Sequence, residues 1–283
     1  MSTTWESEIK QGKRFEFGKN WRAFLKTLNA EKITTAENSI VDMLGVAHLE
    51  NKKVLDIGSG SGLFSLAARN LGATVHSVDF DPSSVACGQE LRSRYYADDP
   101  NWTIEQGSVL DKDFIESLGK FDIVYSWGVL HHTGEMWNAI NNAASAVSDD
   151  GTFFIAIYND EGPKSTMWKT VKNWYCSGPL GKAFISAVFI PYYVVRYTTL
   201  SVLTRKNLFA EYKSKRGMSM YHDWHDWLGG NPFEVAKIEE ILHFCQARNF
   251  ELRNLITTNS LGNNQFVFVR RAEVASQIEN KAA

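Results

Sequence analysis

The stretch Val54-Leu55-Asp56-Ile57-Gly58-Ser59-Gly60-Ser61-Gly62 constrains this chain more than any other. An apolar strand runs directly into a bend with three glycines, and a helical pattern opens near Leu63. Glycine at such a bend permits positive φ and lets the backbone approach a ligand closely. The position is the carboxyl edge of a sheet, where open α/β folds bind. From Asn51 to Tyr158 short β-branched or apolar runs alternate with longer amphipathic ones, the rhythm of βαβ units stacked into a parallel sheet. Strands are expected over Lys53–Ile57, Thr74–Val78, Trp102–Gln106, Phe121–Ser126 and Thr152–Tyr158. A helix is expected from Pro82 toward Tyr96, with Asp81 as its cap and Pro82 in its first turn.

The flanks complete an α/β plan. Trp21 to Leu28 and Thr35 to Leu44 show helical spacing ahead of the first strand. After the core, Phe233 to Arg248 reads as a helix, and Phe250 to Thr257 and Gln265 to Arg270 read as a hairpin through Leu261-Gly262-Asn263-Asn264. An antiparallel pair is a common end for a parallel sheet. The expected organisation is a helical lid over 1–50, a ligand-binding core over 51–160, a helical insertion with a substrate-facing loop over 161–232, the rest of the sheet over 233–271 and a frayed tail over 272–283.

Charge is segregated along the chain. Over all 283 residues, 30 basic and 32 acidic side chains leave a net charge of −2. Between Pro163 and Arg216, however, ten basic residues face one acidic residue, Glu211. At the centre of this segment, Ala183 to Val195 is nearly uninterrupted apolar sequence. Pro191 and Arg196 count against a bilayer span. A buried or lid-forming helix, or an amphipathic element resting on a membrane, fits better. A sequence pI near 6.4 and the lack of a recognisable binding module argue against nucleic acid. The three cysteines, Cys87, Cys176 and Cys245, are widely spaced and support neither a disulfide framework nor a zinc site. With no apolar leader at Met1 to Glu8, a cytoplasmic location is expected, with peripheral membrane contact through 163–212 as an option.

Spacing narrows the ligand. A dinucleotide fingerprint needs glycine at the position of Leu63, and here the third glycine comes one residue early, at Gly62. Asp56 would repel a pyrophosphate but attract a cationic ligand. On these residues the chain resembles the class I S-adenosylmethionine-dependent methyltransferases, whose first motif, an acidic residue followed by G-x-G-x-G, is matched at Asp56, Gly58, Gly60 and Gly62. The resemblance covers about Lys52 to Tyr158 and implies a Rossmann-like, seven-stranded, mostly parallel sheet with helices on both faces. It also implies S-adenosylmethionine as methyl donor and S-adenosylhomocysteine as product. Asp79 stands where the family binds the ribose hydroxyls, and Phe80 where a ring lies against adenine. Ser108 and Val109 occupy the adenine-amino position, where aspartate is more typical; Ser59, Ser126, Trp127 and Trp21 complete the expected cofactor set. A helix-capping role for Asp79 stays open.

On the acceptor side, His131 and His132 follow strand four, and an imidazole titrating near neutrality would suit removal of a hydroxyl proton. Bonding to backbone at the strand end is the alternative. Ubiquinone-type O-methyltransferases have Leu-Glu-His where this chain has Leu130-His131-His132, so His131 replaces an acidic group and their metal-assisted chemistry does not carry over. Tyr158, Asn159, Arg216, Tyr221, Asp223, Asp226 and Trp227 are the expected acceptor contacts. For Tyr158 and Asn159 a turn-forming role is the alternative. The 216–230 loop resembles a segment of bacterial methyltransferases, some from surface-polysaccharide clusters. His222, Asp223, His225 and Asp226 offer metal-ligand chemistry in no standard spacing, and Trp224 and Trp227 would also suit simple packing. No metal is expected. The expected activity is methyl transfer to a small apolar or anionic molecule, at oxygen first, with sulfur or nitrogen as alternatives. A non-catalytic, membrane-associated cofactor-binding scaffold is the competing class. Oligomeric state is not legible.

Overall fold

The computed structural model describes residues 5–10, 14–209, 224 and 227–271. The expected strands assemble into one seven-stranded sheet of order β3-β2-β1-β4-β5-β7-β6. Its members are β1 (Lys53–Ile57), β2 (Thr74–Asp79), β3 (Trp102–Gln106), β4 (Phe121–Trp127), β5 (Val147–Tyr158), β6 (Phe250–Ile256) and β7 (Asn263–Arg270). β7 runs antiparallel to both β5 and β6, and the other pairings are parallel. Order reverses between β1 and β4, which opens a crevice at their carboxyl ends.

Helices α1 (Trp5–Lys10), α2 (Gly18–Leu25) and α3 (Ala30–Leu44) precede the sheet; α4 (Leu63–Asn70), α5 (Pro82–Tyr95), α6 (Lys112–Ser117) and α7 (Met136–Ser145) connect its strands. One core layer packs Ile33, Ala36 and Ile40 of α3 and Leu66, Ala67 and Leu91 of α4 and α5 on the sheet. The opposite layer packs Ile115, Ala139, Ile140 and Ala143 of α6 and α7, with Ile241 and Cys245 of α10 (Ile238–Gln246). Both faces are therefore covered, as a parallel sheet requires. Cys87, Cys176 and Cys245 are free.

Three boundaries shift, and the largest shift is at β5, which begins at Val147, five residues before the expected Thr152. The helix expected from Phe233 starts only at Ile238, because Phe233 and Ala236 are instead buried in an irregular approach to the sheet. At the other end β7 begins at Asn263, two residues earlier than the hydrophobic pattern indicates, since Asn263 and Asn264 pair with Tyr158 and Ile157.

The insertion after β5 forms α8 (Pro163–Cys176) and α9 (Pro179–Thr204). α9 continues through Pro191, so the proline does not end it, and by length and composition this helix could cross a membrane. Its inner stripe, with Ile185 and Tyr193 buried, packs aromatic rings on the domain: Phe189 lies 5.2 Å from Trp168 and Tyr193 lies 5.2 Å from Trp224.

Candidate functional site

All three glycines of the bend after β1 take positive φ, +76° at Gly58, +56° at Gly60 and +80° at Gly62, which a residue with a Cβ adopts at a cost. Space is equally tight. A Cβ at Gly58 would lie 2.4 Å from Val129, and one at Gly60 would lie 2.9 Å from the Trp21 indole. The bend is stitched to β2, for Gly58 N–H donates to the Val78 carbonyl at 2.7 Å and Gly60 N–H to Asp79 Oδ2 at 2.8 Å. The other Asp79 oxygen accepts from Asp81 N–H at 2.8 Å. Burial pushes the Asp79 carboxyl up to about 6, against the opposing pull of these hydrogen bonds. Asp81 caps α5 through Ser83 N–H, so capping does not fall to Asp79.

Asp56 behaves differently from its sequence reading as an anion facing a cationic ligand. It is 3% exposed and turns into the α3/α4 layer, accepting from Ser65 Oγ at 2.5 Å. Ser65 in turn accepts from Ser77 Oγ at 2.7 Å, and Ser77 from Trp102 Nε1 at 2.9 Å. This buried chain ties β1, α4, β2 and β3 beneath the bend. Desolvation drives the Asp56 carboxyl up to about 7, with the Asp79 charge adding to the rise.

The N-terminal segment closes over the bend. Trp21 packs on Gly60, Gly18 N–H donates to Asp81 Oδ2 at 2.8 Å, and the Arg14 guanidinium lies 5.0 Å from the Phe80 ring centre while donating to the His132 carbonyl at 3.0 Å. Arg14 thus bridges the two halves of the site, a role with no local sequence signal.

On the far side of the crevice a short 3-10 turn, Leu130–His132, follows β4. Its two imidazoles meet edge to face with centres 4.5 Å apart, and the His131 ring centre lies 4.0 Å from that of Tyr158. His131 Nδ1 accepts from Tyr158 N–H at 3.3 Å, so its proton sits on Nε2, which is buried without a partner among the described residues. His132 Nδ1 lies 2.6 Å from the Pro232 carbonyl, which can only accept; the proton is on Nδ1 and the lone pair on Nε2. The expectation of imidazoles titrating near neutrality is corrected here. Desolvation, and for both the charge of Lys172, holds His131 well below the usual range and lowers His132 to about 3.

Other expected contacts are engaged elsewhere. Ser126 Oγ donates to the Ile57 carbonyl at 2.9 Å and staples β4 to β1. Trp127 is 41% exposed and donates to Gln265 Oε1 at 3.1 Å, toward β7 and not to the crevice. Alternation along β4 sends neighbours to opposite faces, which explains why the two residues part. Ser108 Oγ accepts from Leu110 N–H at 3.2 Å; Val109 is buried, and its carbonyl takes Asn142 Nδ2 at 2.9 Å. Asn159 joins Glu161 and Asn264 at the ends of β5 and β7, the turn-forming role. Ser59 Oγ is buried in the bend without a partner among the described residues.

Tyr158 and Trp227 line a small open cleft together with Trp168, Lys172, Phe233 and Leu261. Sequence reasoning counted Lys172 only among the basic residues. Its signal is positional: Ser165, Trp168, Lys172 and Tyr175 fall on one stripe of α8, and Ser165, Lys172 and Tyr175 are all buried. Arg216, Tyr221, Asp223 and Asp226, with His222 and His225, lie outside the described residues. Among the described residues no cluster of His, Cys, Asp or Glu could hold a metal ion.

A sheet of this order, with a three-glycine bend after β1 and a carboxylate ending β2 across a switch point, is the arrangement that the sequence resemblance to the class I S-adenosylmethionine-dependent methyltransferases implies. Residues 55–153 match the family model described as a methyltransferase domain. The chain is 31% identical over 116 residues to a ubiquinone biosynthesis O-methyltransferase of Glaesserella parasuis serovar 5 (strain SH0165), a match covering 39% of this chain and 47% of that protein. A similar protein of Bartonella tribocorum is 28% identical, over 53% of this chain and 52% of its own length. The chain thus spans about half the length of these curated relatives. In fold it resembles magnesium protoporphyrin IX methyltransferase from Synechocystis PCC 6803 with bound S-adenosylhomocysteine (TM-score 0.54, 15% identity, 89% of this chain and 93% of that one). It also resembles an O-methyltransferase family protein from Burkholderia thailandensis (TM-score 0.55, 12% identity, 96% and 64%).

Proposed function

We propose that this chain transfers a methyl group from S-adenosylmethionine to an oxygen atom of a small molecule. The observation that carries the reading is the division of the crevice. One side holds the glycine bend and Asp79; the other holds His131, His132 and the aromatic cleft. When bound, S-adenosylmethionine supplies a methyl carbon activated by its sulfonium. Gly58, Gly60 and Gly62 let the backbone approach that donor, the Asp79 carboxylate accepts from its ribose hydroxyls, and the orphaned Ser59 hydroxyl gives it a further polar contact. Trp21 and Arg14 cover this half and exclude water.

His132 holds an acceptor hydroxyl through its Nε2 lone pair. A base lowered to about 3 does not ionise an alcohol or phenol in advance. It takes the proton late, when the forming carbon–oxygen bond has made that proton strongly acidic. The test is a cell extract incubated with the purified chain and isotopically labelled S-adenosylmethionine. A labelled O-methyl product that disappears with Asp79→Ala supports the reading; label on nitrogen or sulfur, or none, overturns it.

α9 supports a location at an anionic membrane surface. Phe184, Val188, Tyr192, Val195 and Val202 form an exposed apolar stripe beside the packed one, with Val195 at 64% and Val202 at 72% exposure. Seven basic and no acidic residues lie between Pro163 and Phe209. Two copies meeting through this face would bring like charges together, whereas anionic headgroups complement it. Commitment of the inner stripe to Trp168 and Trp224 favours a helix resting on the membrane over one crossing it. The chain is expected to float with vesicles containing phosphatidylglycerol, and Val188→Glu with Val195→Glu to lose most of that binding. Flotation unchanged by the double substitution rules the contact out.

A further inference from the structure

We propose that Asp56 separates the methyl donor from its spent product by charge: its carboxyl gives up a proton when the sulfonium of S-adenosylmethionine lies on the glycine bend, and takes one back when the uncharged thioether of S-adenosylhomocysteine lies there. The inference rests on the reading of this crevice as the donor's site and goes beyond it, since it concerns neither the acceptor nor any residue that touches the donor.

Asp56 lies near the end of β1, just before Gly58, and is buried beneath the bend. Its influence passes by charge through an interior that screens poorly. The hydrogen bonds around it let that charge change without disturbing the fold. The Trp102 indole can only donate, so Ser77 donates onward to Ser65, and Ser65 to Asp56 Oδ2. An oxygen bonded in this way accepts equally well as part of a carboxylate or as the carbonyl of the acid. The proton, when present, therefore belongs to Oδ1. Tyr125 is the register partner of Asp56 on β4, and its hydroxyl is buried without a partner among the described residues. A neighbouring hydroxyl can accept from the acid and can donate to the carboxylate, so either form is accommodated.

What the fold withholds is a countercharge. The titratable groups facing Asp56 are Asp79 from β2 and Tyr125 from β4. Ile40 and Leu44 of α3 and Phe64 and Ala68 of α4 line the same gap with apolar groups. Among the described residues no basic side chain bonds Asp56. Asp79 in turn faces Asp81 and the Arg14 guanidinium. Burial, with the Asp79 charge in support, therefore keeps Asp56 protonated up to about pH 7. A cation on the bend favours the ionised form, and a neutral ligand does not. Both compounds present the same ribose to Asp79, so that contact cancels between them and one positive charge remains. By linkage, preference for the sulfonium compound is weakest where Asp56 is protonated in both complexes and grows as pH rises through about 7.

The test titrates the full chain by calorimetry with each compound at about pH 6.5, in phosphate and in imidazole, whose ionisation enthalpies differ and so report protons exchanged. The wild type is expected to release at least ~0.3 more protons with S-adenosylmethionine than with S-adenosylhomocysteine, and its preference for the former to rise ~3-fold between about pH 6 and 8. Asp56→Asn should abolish both effects, and it also subtracts any proton that the ligands' own ammonium groups exchange. Equal release with the two compounds, or a difference that persists in Asp56→Asn, would overturn the proposal. If the variant fails to fold, the carboxyl carbon resonance of Asp56 in the wild type reads the same charge directly, and an identical position in the two complexes overturns it as well. Binding of neither compound would strike the donor site itself, so the two failures are distinguishable.

Discussion

With Asp79 replaced by alanine, the chain is expected to bind S-adenosylhomocysteine at least ~100-fold more weakly and to keep its fold. The carboxylate ends β2 and holds Gly60 N–H and Asp81 N–H, each at 2.8 Å. Hydrogen bonds to a charged group contribute about 1.5 to 3 kcal/mol each, so two ribose hydroxyls released from one carboxylate account for about two orders of magnitude. Loss of the Gly60 contact adds to this by freeing the bend. The fold should tolerate the change, because burial already raises this carboxyl to about 6 and its ionised form is not what stabilises the sheet. Asp79→Asn, which keeps an acceptor oxygen, should fall between the two. Calorimetric titration and a thermal melt suffice: a dissociation constant within threefold of wild type would remove Asp79 from the site, and a collapsed melting temperature would make its role structural.

Asp56→Asn is expected to act in the opposite sense, raising stability at pH 8 by up to about 4 kcal/mol, an order-of-magnitude figure for a shift of about three pKa units. The sign follows from linkage. Asp56 has a folded pKa of about 7, above its ordinary 3.8, so the folded state binds the proton more readily than the unfolded chain. The stability this contributes is fully present below about pH 3.8 and is lost as pH rises through about 7. An amide keeps an acceptor for Ser65 and never ionises. At roughly 2 °C per kcal/mol the melting temperature at pH 8 should rise by about 8 °C, with little change at pH 4. Equal shifts at both pH values would show that packing, not charge, separates the variants.

The histidines work against this trend. His131 and His132 are lowered, so their contribution is present above pH 6.5 and is lost as pH falls toward about 3. Between about pH 4 and 6 the two sets oppose each other and flatten the wild-type profile. The same burial that sets these slopes underlies the late proton transfer proposed for His132, so one physical cause would reach both stability and chemistry.

Much of the plan was readable before any coordinates. The parallel strands β1 to β5 announce themselves by short apolar runs ending in glycine or aspartate, and the closing hairpin by Leu261-Gly262-Asn263-Asn264. The three-glycine bend and Asp79 were likewise legible, because turn chemistry and strand ends are properties of neighbouring residues. Trp127 was misplaced because the run from Phe121 to His132 gives the order of residues but not which partner each meets across the sheet. Lys172 was missed because a count of basic residues treats every lysine as solvated, whereas the fold brings Trp227 and Phe233 over α8 and this one is buried.

The sequence by itself determined the fold class, the strand boundaries to within about five residues and the glycine bend after β1, all of which depend on local backbone preference. The tertiary structure alone decided the direction of Asp56, the protonation of the histidine pair and the burial of Lys172. Those depend on desolvation and on partners far along the chain, as when Pro232 fixes the proton of His132 from a hundred residues away. The energy of a charge is set by what surrounds it in space, and a linear order of residues does not contain that.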